Sequence, residues 1–393
     1  MLFSLSLVFL CGLVLGSIFQ KIKLPNLLGM LITGIVLGPY VLNLIDPKIL
    51  MISTDLRQIA LVIILTRAGL ALDIKDLIKV GRPALLLCFL PACFEIAGMI
   101  IIAPKLLGVS ILEAAIMGTV VAAVSPAVIV PKMLKLMESR YGTDKSIPQM
   151  IMAGASVDDV FVIVLFTSFL GLAKGGEISA SSFIKIPVAI ILGIVIGIVC
   201  GIILNVLFTR YHIRDSAKVI ILISIAFLLI SLEKALDGIV GFSGLLAVMS
   251  MGASLQKNNY EVSKRLSNKF SKLWVCAEVL LFVLVGATVD IKYAVSSGWI
   301  AVATLILVLV IRMIGVYICM IKTKLSQKER LFCMLSYIPK ATVQAAIGSI
   351  PLAMGLSCGK MVLTVAVLAI LITAPLGAVL VDASYKKLLK YNP

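Results

Sequence analysis

The sequence predicts an all-α polytopic membrane protein with thirteen transmembrane helices. Three observations lead there. Of its 393 residues, 61% are hydrophobic and only 14% charged, with a mean hydropathy of +1.16, which excludes a soluble enzyme. Apolar runs of about twenty residues, each enough to cross a hydrocarbon core of ~30 Å, recur along the chain and leave no stretch for a water-soluble domain. The basic residues gather in alternate connecting segments, as membrane topology requires.

Taken in order, the first run spans about 2–19. Lys21 and Lys23 follow it, and no basic segment precedes it, so it reads as a retained helix and not as a signal peptide. The second and third runs span about 26–44 and 56–72, and the fourth, about 83–103, carries Glu95 near its midpoint. The fifth, about 111–131, breaks at Ser125-Pro126, since proline lacks a backbone donor and crowds the preceding turn. The sixth, about 148–172, carries adjacent Asp158 and Asp159. The seventh, about 187–208, joins two halves, and 217–236, 239–255 and 274–291 follow. The eleventh, about 299–321, holds Arg312 mid-span. The twelfth, about 331–356, breaks around Pro339 and holds Lys340, and the thirteenth spans about 361–384.

An odd number of spans puts the termini on opposite sides. With the N-terminus outside, 24 of the 35 lysines and arginines fall in cytoplasmic segments and 8 in outer ones. The positive-inside rule therefore gives N-out and C-in in a cytoplasmic membrane of bacterial type. The net charge of +16 is then topology with some attraction to anionic lipid, not a nucleic-acid surface. The eight cysteines form no CxxC pair and His212 is the only histidine, which argues against a zinc site, a disulfide framework or a cofactor.

Asp158 lies about 15 Å into its helix, near the bilayer midplane. A charge there costs several kcal/mol, so intramembrane acids read as functional by default. Arg67 lies near a helix end and can snorkel. Glu113, Glu278, Asp290 and the Glu233/Lys234/Asp237 group lie near span ends and read as interfacial. The buried ionisable set is then Glu95, Asp158, Asp159, Arg312 and Lys340, close to charge balance, as pairing inside lipid requires.

The segment numbers add a second layer. Glu95 and Arg312 lie seven segments apart, as do the breaks at Pro126 and Pro339. An odd offset places corresponding helices in opposite orientations, which predicts two inverted-topology repeats with broken helices meeting at a midplane site. Adjacent helical residues point about 100° apart, so one aspartate can face a base while the other faces a water-filled cavity. Burial favours a neutral carboxyl and a nearby base favours a charged one, so such a site can take either a proton or a hard monovalent cation. Candidate cation ligands are Asp159 and Asp158, the backbone freed near Val124, and the hydroxyls of Ser125 and Ser156. Lys340 is a counter-charge or a proton carrier, while Glu95 and Arg312 read as a structural pair.

At these residues the chain resembles the monovalent cation/proton antiporter superfamily over essentially its whole length. The opening stretch from Lys23-Leu24-Pro25 to Leu37-Gly38-Pro39 is typical of it. AAVSPAVIVPK from Ala122, GASVDD from Gly154 and PKATVQAAIG from Pro339 are more specific, and resemble the NHA branch of sodium/proton antiporters. The resemblance implies an NhaA-like fold and a homodimer. It also implies a scaffold of residues 1–80 and 217–293, a linker helix at 187–208, and a core of 81–172 and 299–384 that moves like an elevator. Asp159 would then be the main ion-binding carboxylate, Asp158 would pair with Lys340 and Glu95 with Arg312. Paired aspartates suggest electrogenic exchange and the Glu–Arg pair electroneutral exchange.

The leading expectation is exchange of Na⁺ or Li⁺ for H⁺. K⁺/H⁺ exchange uses similar machinery. A sodium-coupled organic-anion symporter would need a roomier cavity, and paired midplane acids disfavour an anion. A gated channel would carry flux without obligatory proton coupling. No nucleophile or metal constellation surrounds His212, so enzyme chemistry has no support.

Overall fold

The computed structural model describes residues 1–72, 81–173, 180–236 and 241–392, without the side chains of 156, 160, 180–187, 234 and 291–297. Asp237, as well as the side chains of Lys234 and Ser156, thus lies outside the described residues. Among the described residues the chain is all helical, with no strand and one isolated bridge between Tyr141 and Tyr391. Among the described residues nine helices are long and apolar enough to cross a membrane, from Leu2–Lys21 to Gly359–Leu388. Four expected spans fall short of that measure for local reasons. Asn26–Leu37 has 12 residues and Gly244–Asn258 has 15. Ser53–Ala71 carries Asp55, Arg57 and Arg67. The twelfth expected span divides into Gln327–Ser336, Thr342–Ile347 and Ile350–Ala353.

The described residues form two compact units. One comprises Met1–Asp55, Leu77–Phe169 and Val279–Pro393, and the other Leu56–Asp76 and Leu170–Glu278. In the second, Ala180–Arg210 packs on Gly244–Asn258. Gly197 allows this approach, since a Cβ there would run into the Ala247 carbonyl oxygen. Small residues let helix backbones close up where lipid supplies no hydrophobic drive. Arg67 is partly buried in this unit, with the Glu278 charge acting on it.

The first unit holds every acid and base of the expected site. Leu90–Leu107 packs against both Ile111–Ala122 and Ile291–Cys319, which brings Glu95 and Arg312 to a common interior. Two interrupted helices meet beside them. Ile111–Ala122 starts on a Ser110/Glu113 capping box and ends before Ser125, whose extended backbone (φ −88°, ψ 110°) leads into Pro126 at the first turn of Pro126–Glu138. The residue before proline avoids the helical region, so the break is built into the sequence. Gln327–Ser336 repeats the design: a Ser326/Glu329 capping box starts it, and the chain unwinds through Ile338-Pro339-Lys340 before Thr342–Ile347. The unwound stretches touch where Ser125 N–H donates to the Pro339 carbonyl at 2.8 Å.

The start of each of these helices is tied to a loop in the other half of the chain, ahead of a long helix there. Glu113 accepts from Ser357 at 2.6 Å, just ahead of Gly359–Leu388. Lys145, just ahead of Ile147–Ala173, donates to Glu329 at 2.8 Å. Burial pushes the Glu329 carboxyl up, but the Lys145 ammonium and the Ser326 donors outweigh it and hold it below the usual carboxylate range.

Candidate functional site

Unwinding a helix inside a membrane frees backbone groups that water cannot reach, and each must find a partner. At the end of Ile111–Ala122 three successive carbonyls do so through side chains. Val121 accepts from Lys340 Nζ at 2.6 Å, Ala122 accepts from Arg312 Nη1, and Ala123 accepts from Gln344 Nε2 at 2.9 Å. Positive charge at a helix C-terminus also complements the helix dipole. The next group along, the Val124 N–H, donates to Asp158 Oδ2 at 2.9 Å.

The ionised groups form one chain of contacts. Arg312, fully buried, reaches Glu95 Oε2 at 2.7 Å and Asp158 Oδ2 at 3.1 Å. Its Nε donates to the Tyr337 carbonyl at 3.2 Å, and its guanidinium lies over the Tyr337 ring. Lys340 Nζ lies on Glu95 Oε2 at 2.7 Å, and its backbone N–H donates to Thr373 Oγ1 at 3.0 Å. Glu95 thus carries two cations on one oxygen. Buried charges of this kind persist only when paired and hydrogen-bonded, because desolvation costs several kcal/mol per ion.

Glu95 is in contact with Arg312, and the contact of Lys340 is with Glu95 and not with Asp158. The expected partner, Asp158, already accepts from Arg312 and Val124, whereas Glu95 and the Val121 carbonyl together give an ammonium two short acceptors. Lys340 therefore sits on Glu95, and Arg312 is the base that faces Asp158.

Asp159 stands apart. It is buried at 8% exposure, and its Oδ1 has no hydrogen-bond partner among the described residues. The same holds for Asp158 Oδ1, Ser125 Oγ, Thr342 Oγ1, Gln344 Oε1 and Tyr337 Oη. Pro126 lies at the first turn of Pro126–Glu138 and Pro339 in the unwound stretch before Thr342–Ile347. Gln344, Tyr337 and Thr373 join this contact network without any role assigned to them from sequence. A glutamine in an otherwise apolar stretch, four residues after Lys340, was the available signal for the first. Nothing in the sequence marks a Tyr337 carbonyl as an arginine acceptor. Among the described residues no cluster of three or more His, Cys, Asp or Glu could hold a resident metal.

Acids and bases gathered at membrane depth around two unwound helices define a class of protein, the ion-coupled secondary transporters. The family follows from comparison. A model described as "Sodium/hydrogen exchanger, transmembrane" matches residues 5–382, and the chain belongs to that family. It is accordingly a transporter and not an enzyme, and needs no cofactor. Sodium/hydrogen exchanger 9B2 of Mus musculus is 35% identical over 97% of this chain and 72% of the relative. Sodium/hydrogen exchanger 9B1 of Homo sapiens is 33% identical over 100% and 79%. Among solved structures, the sodium proton antiporter MjNhaP1 from Methanocaldococcus jannaschii at pH 8 superposes with a TM-score of 0.84 at 22% identity, covering 98% of this chain and 97% of that one. The fold is thus the NhaP-type antiporter fold.

Proposed function

We propose that this protein exchanges Na⁺ or Li⁺ for H⁺ across a membrane, with Asp159 as the carboxylate at which cation and proton compete. The observation that carries the reading is the division of labour between the adjacent aspartates. Asp158 is committed to Arg312 and the Val124 N–H, while Asp159 is buried with an oxygen to spare. A buried acid in that condition must take a proton or a cation. Oxygen ligands suit a hard monovalent ion, and Ser125 Oγ and Asp158 Oδ1 are further buried oxygens without a hydrogen-bond partner among the described residues. Ser125, Asp158 and the backbone at Val124 are our candidate further ligands, with Ser156 on the same helix. Lys340 acts as counter-charge to Glu95 in the state described here.

The finer architecture belongs to the same proposal. Thirteen transmembrane helices would form two inverted repeats. The helix starts at Ile111 and Ile147 in one half, and at Gln327 and Gly359 in the other, support it, as do the matching capping boxes. Residues 81–172 and 299–384 would be the core that moves like an elevator, residues 1–80 and 217–293 the dimerising scaffold, and 187–208 the linker. We place the protein in a bacterial cytoplasmic membrane as a homodimer, N-terminus out.

The test is proton movement in proteoliposomes holding a pH gradient, on adding Na⁺, Li⁺, K⁺ or choline, with wild type beside Asp159→Asn. Collapse of the gradient by Na⁺ or Li⁺ in wild type alone is the expected result. A response to K⁺ only would reassign the substrate. Equal behaviour of wild type and variant would remove Asp159 from the mechanism.

A further inference from the structure

Gln344 is a fully buried neutral side chain placed among charges. Its Nε2 donates to the Ala123 carbonyl at 2.9 Å and to the Val121 carbonyl at 3.3 Å. The orientation of the amide follows from these contacts, since the reverse would set Oε1 against two carbonyl oxygens that can only accept. This leaves Oε1 without a partner among the described residues, a cost that a leucine would avoid. The amide must therefore be there for its N–H groups.

What those groups hold is informative. The Ala123 carbonyl and the Val124 N–H are the two ends of a single planar peptide unit. Gln344 grips one end, and Asp158 Oδ2 accepts from the other at 2.9 Å. Rotation of that plane would take the N–H away from Asp158. The Val121 carbonyl, two residues upstream, is shared with Lys340 Nζ, so the amide also keeps this carbonyl satisfied without a charge.

We propose that Gln344 is a positioning residue for ion exchange, fixing the Ala123–Val124 peptide plane and through it the N–H that holds Asp158 beside Asp159. Gln344 itself touches neither aspartate in the contacts above and acts through the unwound backbone. The inference rests on the proposed exchange only for its functional consequence; the positioning is testable without it.

The experiment uses the full-length protein in detergent micelles and in proteoliposomes. Gln344→Met keeps the length and removes the donors, and Gln344→Glu keeps the shape and replaces the donor with an acceptor. Hydrogen–deuterium exchange over residues 119–126 should speed up about fivefold at the Val124 amide in both variants, the equivalent of one lost hydrogen bond, while Gly359–Leu388 exchanges as in wild type. In proteoliposomes the KM for Na⁺ should rise by about the same factor with Vmax within about twofold. Wild-type protection at Val124 in Gln344→Met would overturn the proposal, and so would wild-type KM with wild-type protection in Gln344→Glu should the methionine variant not fold. If wild type moves no ions, the exchange reading fails, yet amide exchange still decides the role of Gln344.

Discussion

Replacing Glu95 with glutamine tests the electrostatic logic of the core most directly. Glu95 Oε2 accepts from Arg312 Nη1 and Lys340 Nζ, each at 2.7 Å, with all three side chains at 1% exposure or less. The amide of Glu95→Gln fills the same space but brings no charge. Arg312 keeps Asp158 and two backbone carbonyls, while among the described residues Lys340 keeps only the Val121 carbonyl for its ammonium. Removing one partner of a buried pair costs about 3–5 kcal/mol, because the remaining charge is stranded. For 393 residues the unfolding entropy is roughly 0.8 kcal/mol/K, so that loss lowers the melting temperature by about 4–6 °C. The assay is thermal unfolding of the purified protein in one detergent at fixed scan rate. Adding Lys340→Met should restore part of the loss, since the stranded ammonium disappears, and the double-mutant cycle reads the coupling. Melting of Glu95→Gln within about a degree of wild type would refute the reasoning, because it would mean that the carboxylate was not compensating two buried cations.

Further perturbations have equally definite outcomes. Gly154 lies one turn before Asp158, and a Cβ there would meet the Tyr337 hydroxyl and sit 2.7 Å from Leu87 Cβ. Gly154→Ala should cost about 1–3 kcal/mol by overpacking and slow transport, measured by thermal unfolding and initial flux. Gly34→Ala would drive a Cβ into the Val283 carbonyl oxygen and should destabilise by a similar amount, with transport of the surviving protein less affected. The Lys145–Glu329 pair gives a pH signature. The carboxyl of Glu329 is held below its unfolded value, so its contribution is fully present above the unfolded pKa and is lost as pH falls through the folded one. Glu329→Gln should therefore lower stability by about 1 kcal/mol near neutral pH and converge with wild type in acid, as a melting series against pH would show.

The single chain already contained the all-helical membrane character, the breaks and the inventory of charges. Helices in lipid must satisfy their own backbone, so an apolar run of sufficient length is legible one residue at a time. The break at Ser125-Pro126 is equally local, since proline acts on its own preceding turn. Glu95, Asp158, Asp159, Arg312 and Lys340 announced themselves because a charge amid apolar neighbours costs too much to be incidental. Membership of the sodium/hydrogen exchanger family was likewise readable from short stretches around these residues.

Partnership was not. Arg312 and Asp158 are 154 positions apart, and Lys340 and Glu95 are 245. No local rule says which base meets which acid, or that Arg312 would join Glu95 to Asp158 while Lys340 turned to Glu95. That choice depends on where the two unwound helices meet, which sets the carbonyls of Val121, Ala122 and Ala123 within reach of three side chains from the other half of the chain. Gln344 was unremarked for the same reason: its worth lies in two backbone groups more than 200 positions away. Sequence determined which charges enter the membrane, because desolvation acts on each residue alone. Tertiary structure decided which of them are paired and which carboxylate oxygens keep no partner among the described residues, because Coulomb and hydrogen-bond energies exist only between groups that the fold has brought together.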